Sequence, residues 1–559
     1  MKVRVEQLNP IIGDFEGNLS GIFQALEKAE QDEVELLVLP ELTVCGYLPM
    51  DLLERPAFLR ANYQANRKVV EATSETAVLF GGVTKNTSDV GRKCFNSALL
   101  AHKGALIAEV HKTLLPTYDV FDELRYFEEN TEFECVEFKG AQLGITICED
   151  IWYNENDVQY HTYEINPAKE LVELGADAIF NISASPFTKT KPASRQEMLQ
   201  NHAKELNVPI FYANQVGANT ELVSDGDSMV LDAKSNVIAR AELFKEAHID
   251  VEWDVEKKQV KNIGPPFATI PTKQEGIFRA LVKGLQDYLG KTKISDKVIL
   301  GLSGGIDSAL VACIAKEALG QENVLAVTMP SEFSSKGSIT DSVELASNLG
   351  IALDTLPVKS LYEEYLRVLK SKFKDTSFGV AEENLQSRIR GVLLMAISNK
   401  FGHMLVNTGN KSEMATGYCT LYGDMNGGLA IISDVYKTEV YDICHWLNKE
   451  FYQQEIIPNN ILNKSPSAEL RPDQKDADSL PNYDILDPIL EAYIEKQLSS
   501  KEIIDLGFDE STVQKVLKMV DRNEYKRFQA VPGLKVSTKS FGTGRRWPLV
   551  QGWSSSEYR

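Results

Sequence analysis

Lys297-Val-Ile-Leu-Gly-Leu-Ser-Gly-Gly-Ile-Asp-Ser308 decides the fold of the second half of the chain. Lys297–Leu302 reads as a buried strand, the glycine pair Gly304–Gly305 interrupts it, and Ser308–Ala318 continues as an apolar helix. A second apolar strand pattern, Val324–Met329, follows directly. Strand, helix and strand in that order require a crossover connection, so the two strands lie parallel in one sheet. Further helices are expected over Lys273–Leu289, Thr340–Asn348, Asn384–Asn399 and Val435–Lys449.

Working back toward the N-terminus, short β-rich runs alternate with amphipathic helical stretches. The strands are expected at Lys2–Leu8, Glu35–Pro40, Ala77–Thr84, Ser97–His102, Leu143–Cys148, Ala178–Ser183 and Pro209–Ala213, the helices at Asn18–Glu30 and Ser194–Leu206. This is layered α/β architecture. The pattern stops near Val260, and the proline-rich stretch from Asn262 reads as a linker. The expected division is therefore a domain over 1–260, a linker over 261–274 and a domain over 275–559. A chain of 559 residues is too long for one hydrophobic core in any case.

Composition narrows the function class. With 43% hydrophobic and 25% charged residues the chain is neither fibrous nor largely disordered. A net charge of -21 is the wrong sign for a general nucleic-acid or anionic-membrane binder. Any phosphate must therefore be held by local groups. The most apolar stretch, Val298–Leu319, contains Asp307, Lys316 and Glu317 and is no membrane span. The chain opens in strand pattern without a signal-peptide core, and seven scattered cysteines suit free thiols in a reducing cytoplasm. Against this acidic background the last stretch is basic, from Lys515 through Lys526 and Arg527 to Arg546. Two readings stand for it, a site for a ligand's pyrophosphate or a solvated helix face.

In the loop after Leu300, glycine lets backbone N–H groups approach an anion, and the following helix contributes its positive end. Ser303 and Ser308 offer hydroxyls, and Asp307 is placed to hold a magnesium ion against phosphate oxygens. The pattern is neither GxxxxGK[ST] nor GxGxxG. It resembles the SGGxDS pyrophosphate loop of enzymes that split ATP into AMP and pyrophosphate. With Thr328-Met-Pro-Ser331, Glu383-Asn-Leu-Gln-Ser-Arg-Ile-Arg390, Thr408-Gly-Asn-Lys-Ser-Glu413, Tyr418-Cys-Thr-Leu-Tyr-Gly-Asp424 and Asp434-Val-Tyr-Lys437, residues 275–559 resemble the synthetase domain of NAD synthetases. The resemblance implies a Rossmann-like, parallel-sheet ATP-pyrophosphatase fold. It implies ATP contacts from Gly301, Leu302, Ser303, Gly304, Gly305, Ile306, Asp307, Ser308, Thr408, Lys437 and Ser467, and magnesium (Mg2+) held by Asp307 and Glu413. Deamido-NAD would meet Asn384, Glu413, Tyr418, Cys419, Thr420, Leu421 and Lys526. Ser387 departs from the alanine common in relatives. The implied chemistry is an acyl-adenylate that ammonia converts to an amide, releasing AMP.

Three residues of the first half suit acyl transfer. Glu41 follows Leu37-Val-Leu-Pro, Lys112 lies in Val110-His-Lys-Thr, and Cys148 ends Gly144-Ile-Thr-Ile-Cys. All follow apolar strand patterns, so a layered sheet can bring them to one edge. A base activates a thiol, and an ammonium holds the oxyanion formed by its attack on an amide. The other cysteines read as buried apolar residues, apart from Cys419 inside its motif. Residues 1 to about 260 resemble the nitrilase (carbon–nitrogen hydrolase) superfamily, an α-β-β-α sandwich, and the fused chain resembles the glutamine-dependent NAD synthetases. The resemblance makes Glu41 the general base, Lys112 the stabiliser and Cys148 the nucleophile, with Tyr118, Ser185 and Lys191 contacting glutamine. Lys191 replaces a common arginine, and either cation pairs with a carboxylate.

The resemblance thus implies a cytoplasmic homo-oligomer, dimer or octamer, that takes L-glutamine, ATP and deamido-NAD and needs neither nucleic acid nor membrane. Two sites on one chain would spare ammonia its protonation in water. The competing readings are an adenylating amidotransferase with another acceptor, which Asn384–Arg390 and Tyr418–Asp424 oppose, and a degenerate scaffold, which the intact Glu41, Lys112 and Cys148 oppose.

Overall fold

The computed structural model describes residues 1–152, 163–264 and 268–553. Pro265, Pro266 and Phe267 of the expected linker, and residues beyond Trp553, lie outside the described residues. The chain divides into two compact units, Met1–Pro271 and Thr272–Arg559. The last strand of the first unit runs Gln259–Asn262, and the first helix of the second starts at Lys273 with Thr272 accepting from the Glu275 N–H.

The first unit holds two facing sheets. One has seven strands in the spatial order Gln259–Asn262, Ala247–Asp254, Lys2–Gln7, Leu36–Val38, Ala77–Lys85, Cys94–His102, Ala105–His111. The other has six, Val237–Arg240, Met229–Leu231, Ile210–Asn214, Ala178–Ser183, Ala141–Ile147, Val136–Phe138. Strand periodicity explains the layering. Leu36, Val38, Ala77 and Leu79 join Ile145, Ile147, Phe180 and Phe211 in the core between the sheets. Their neighbours Leu37, Val78 and Phe80 face the opposite way, onto Leu19, Ile22, Leu26 and Val69 of the helices Phe15–Gln31 and Pro56–Ala72. Ile179, Ile210 and Tyr212 do the same on the second sheet, onto Leu171, Leu199 and Ala203 of the helices Pro167–Glu173 and Lys191–Leu206. The result is an α-β-β-α sandwich in which strands buried on both faces read as continuous apolar runs.

Local differences from the sequence expectation have simple causes. The edge strand Ala105–His111 was not among the expected strands; its residues are exposed or half-exposed although several of them are apolar. The strand expected to end at Cys148 ends at Ile147, and Cys148 instead opens a short turn with φ of 45°. The helix expected from Ser194 begins at Lys191, with Pro192 in its first turn, where a missing N–H costs nothing.

The second unit has one parallel sheet in the order Ala352–Thr355, Val324–Thr328, Val298–Gly301, Met404–Asn407, Leu429–Ala430. Val298–Gly301, first in sequence, sits in the middle, so the chain leaves it toward opposite edges. That switch point opens a crevice at the carboxyl ends of the central strands. The helix Ile306–Leu319 is buried on nearly every side, which its apolar run Ala309–Ala315 foretold. It begins two residues earlier than expected, placing Asp307 in its first turn. The helix expected from Thr340 starts a turn earlier at Lys336, with the Ser335 hydroxyl accepting from the Ser338 N–H.

Candidate active sites

The first unit brings Glu41, Lys112 and Cys148 to one end of the sandwich, from both sheets. Glu41 follows the strand Leu36–Val38, and Lys112 follows the edge strand Ala105–His111 of the same sheet. Cys148 follows Ala141–Ile147 of the other. Glu41 and Lys112 are fully buried. The Lys112 ammonium donates to Glu41 Oε1 at 2.8 Å and to Glu123 Oε1 at 2.8 Å. Asn96 Nδ2 donates to Glu41 Oε1 at 2.7 Å, and the Ala184 N–H to Glu41 Oε2 at 2.9 Å. Glu123 Oε1 also accepts from the Tyr47 hydroxyl at 2.7 Å, while its Oε2 is buried without a hydrogen-bond partner among the described residues.

Two carboxylates around one ammonium leave a charge to settle. Burial opposes the Lys112 charge, but Glu123 and Glu41 outweigh it and hold the ammonium well above the ordinary lysine range. Burial pushes Glu123 up to about 7 despite Lys112, and repulsion from Glu41 adds to the rise. Burial likewise raises the Cys148 thiol, with Glu41 reinforcing and Lys112 opposing. Cys148 is therefore a thiol at rest, and it could act as a nucleophile only if a neighbouring group took its proton. A left-handed φ costs a non-glycine residue ~1–2 kcal/mol, and the turn that pays it presents Cys148 at the strand's end.

The expected glutamine contacts surround this turn. Tyr118 donates to both oxygens of Glu149, at 2.8 and 3.0 Å, and Tyr163 donates to Glu149 Oε1 at 2.9 Å. Lys191 Nζ lies 3.6 Å from the centre of the Trp152 ring. Burial lowers Lys191 to about 8, with Glu149 pulling the other way. The Ser185 backbone is clamped by Asn214, which accepts its N–H at 2.8 Å and donates to its carbonyl at 3.3 Å. Glu123, Asn96, Tyr47 and Glu149 are absent from the sequence reading. Glu149, beside Cys148 in an acid-rich turn, had a signal; Asn96 and Tyr47 had none.

In the second unit a cleft of about 300 Å³ opens at the carboxyl ends of the central strands. Every residue of Gly301–Ser308 except Gly304 lines it, as do Thr408, Lys437 and Ser467. Gly304 has φ of +76°, and a Cβ there would lie 2.3 Å from the Ser338 carbonyl oxygen, so only glycine fits. The serines brace the loop: Ser303 Oγ accepts from the Gly305 N–H at 3.2 Å, and Ser308 Oγ donates to the Gly305 carbonyl at 3.0 Å.

Asp307 and Glu413 meet across this cleft. Lys437 bonds Asp307 Oδ2 and approaches Glu413 to 3.8 Å. Asn410 ties the two acids together, donating from Nδ2 to Asp307 Oδ1 at 2.9 Å while its Oδ1 accepts from the Glu413 N–H at 2.9 Å. Burial, then repulsion from Asp307, pushes Glu413 up to about 8 against the pull of Lys437. Two oxygen-donor carboxylates that repel each other beside a phosphate loop fit magnesium, which takes few protein ligands and completes its shell with water and phosphate. Among the described residues no group of three or more acidic, histidine or cysteine side chains forms a denser metal cage.

The expected deamido-NAD contacts divide. Glu413, Tyr418 and Cys419 line the cleft. Asn384, Thr420, Leu421 and Lys526 are not among the residues that line it. Thr420 donates to Asn384 Oδ1 at 2.8 Å, and the Leu421 carbonyl accepts from Arg388 at 3.2 Å. Lys526 donates to the carbonyls of Gly417 and Cys419 at 2.7 and 2.8 Å, spanning the ends of the Tyr418 segment. Ser387 Oγ accepts from the Asp424 N–H at 3.0 Å, which gives the departure from alanine a local use. Arg390, Lys464 and Glu469 also line the cleft and were not singled out from sequence.

Comparison with known proteins matches both units. Residues 2–259 match the carbon-nitrogen hydrolase family and residues 277–530 the NAD synthase family. The glutamine-dependent NAD(+) synthetase of Synechocystis sp. is 46% identical over 556 residues, covering 99% of both chains. That of Thermotoga maritima is 43% identical, covering 98% of both. Among solved structures, the glutamine-dependent NAD+ synthetase from Acinetobacter baumannii in complex with adenosine diphosphate is 37% identical, with a TM-score of 0.78 over 99% of both chains.

Proposed function

The chain belongs to the glutamine-dependent NAD(+) synthetase family, and on that premise we propose how its own residues share the reaction. It is a ligase that amidates deamido-NAD(+) to NAD(+) with ATP and glutamine. In the first unit Glu41 takes the Cys148 proton as sulfur attacks the glutamine amide. Lys112 has three N–H donors, two committed to Glu41 and Glu123, and the third serves the oxyanion. Glu41 returns the proton to the departing ammonia, and water then cleaves the thioester. Lys191 pairs with the glutamine carboxylate, and Tyr118 and Ser185 complete that pocket.

In the second unit the Gly301–Ser308 loop cradles the ATP phosphates at a helix N-terminus, with Thr408, Lys437 and Ser467 around it. Asp307 and Glu413 would hold magnesium, which supplies charge neutralisation on the phosphates when bound. Deamido-NAD lies along Glu413, Tyr418 and Cys419, with Asn384, Thr420, Leu421 and Lys526 shaping that wall. Its carboxylate joins the α-phosphate, pyrophosphate leaves, ammonia attacks the acyl-adenylate, and AMP departs. A cytoplasmic setting is supported by seven cysteines that are all unpaired. No helix among the described residues is long and apolar enough to cross a membrane.

The observation that carries the reading is the buried Lys112 ammonium between Glu41 and Glu123, next to a left-handed Cys148. The test is product analysis of Cys148→Ala with deamido-NAD, ATP and either nitrogen source. NAD formation from glutamine should vanish and formation from concentrated ammonium should persist. Retained glutamine-dependent synthesis would remove Cys148 from the mechanism.

A further inference from the structure

Cys148 and Lys112 stand on turns that leave different sheets, and facing sheets share side-chain packing but no backbone ladder. One side chain links the two turns directly. Asp150, 2% exposed, accepts from the Ile147 N–H with Oδ2 at 2.9 Å. Its Oδ1 accepts from the Leu114 N–H at 2.7 Å and the Thr113 N–H at 3.1 Å. One carboxylate therefore bonds the residue before the nucleophile and the two residues after the lysine. A cavity of about 240 Å³ lies behind both turns, bounded by His111, Thr113, Ile145 and Asp150.

We propose that Asp150 is a positioning residue for glutamine hydrolysis, the staple that sets Cys148 and Lys112 at reacting distance. The inference rests on the glutaminase reading of Cys148. Asn at this position keeps the shape, and its oxygen can still accept from Thr113 and Leu114. Its NH2 would then meet the Ile147 N–H donor to donor, so the bond on the nucleophile side is the one lost.

The test compares Asp150→Asn with wild type in both nitrogen assays, with thermal unfolding and the rate of Cys148 alkylation by iodoacetamide alongside. Glutamine-dependent kcat should fall roughly 100-fold, as for a misplaced catalytic group. KM for glutamine should hold, ammonium-dependent synthesis should match wild type, and alkylation should slow. A glutamine kcat within threefold of wild type overturns the proposal. So does a parallel loss of both activities, or a rise in KM alone. Should the amide variant not fold, Asp150→Ser retains one acceptor without an opposing NH2 and must show the same split. Cys148→Ala separates the two levels: if it keeps glutamine-dependent synthesis the glutaminase reading fails, and if it loses it while Asp150→Asn does not, only the staple fails.

Discussion

Gly304→Ala is the most discriminating single change in the synthetase unit. Gly304 adopts φ of +76°, where an L-residue costs ~1–2 kcal/mol. The new Cβ would also lie 2.3 Å from the Ser338 carbonyl oxygen and 2.7 Å from its Cα, where ordinary contact begins at 3.4 Å. These are backbone atoms in the first turn of Lys336–Leu349, so no side-chain rotation relieves the overlap. Loop and helix must part by about 1 Å, a displacement that costs roughly 100-fold in rate when it falls on a reacting group. Expressed as transition-state stabilisation that is ~2.7 kcal/mol. Steady-state NAD formation with ammonium as nitrogen source isolates the ATP site. kcat/KM for ATP should fall roughly 100-fold, while basal glutamine hydrolysis stays at the wild-type rate. A variant with kcat/KM for ATP within threefold of wild type would refute the reading of Gly304 as the residue that lets the loop lie against the helix.

Three further outcomes are expected. Asp307→Ala should abolish NAD formation with either nitrogen source and spare glutamine hydrolysis; ammonium-dependent synthesis at the normal rate would end its assignment to the magnesium and phosphate site. AMP and pyrophosphate should each appear in equal amount with NAD, whereas ADP and orthophosphate would reject the loop reading and the acyl-adenylate together. Glu123→Gln should change the pH dependence of stability. The folded carboxyl keeps its proton up to about 7 and the unfolded one releases it near 4.5, so folding binds that proton between these values and wild-type stability falls as pH rises through the window. Removing the carboxylate removes that fall, and urea unfolding should find the variant gaining roughly 3 kcal/mol on wild type from the lower to the upper end; parallel profiles would show that Glu123 does not titrate there.

The sequence by itself carried everything that is local. Leu300 to Ser308 encodes a strand end, a glycine turn and a helix start within a few residues, because apolar runs, paired glycines and a following helix constrain torsion angles wherever they occur. Leu36, Leu37 and Val38 read as one apolar run, and only the fold shows that they alternate between two cores, one on each face. Glu41, Lys112 and Cys148 were legible because each ends an apolar strand in a chemically telling context. Tertiary structure alone decided how those residues are charged and partnered. Glu41 and Lys112 are 71 residues apart in sequence, and the fold seats Glu123 and Asn96 on the same atoms. No pattern near Asn96 marks it, and Glu123 sits among ordinary acids. Lys526, given a ligand contact by the resemblance, also bonds two carbonyls of its own chain, which its sequence context did not announce. Torsional preference is a property of neighbouring residues, so sequence reports it. Desolvation and Coulomb interaction depend on what the folded chain brings within a few ångströms, and only the folded chain reports that.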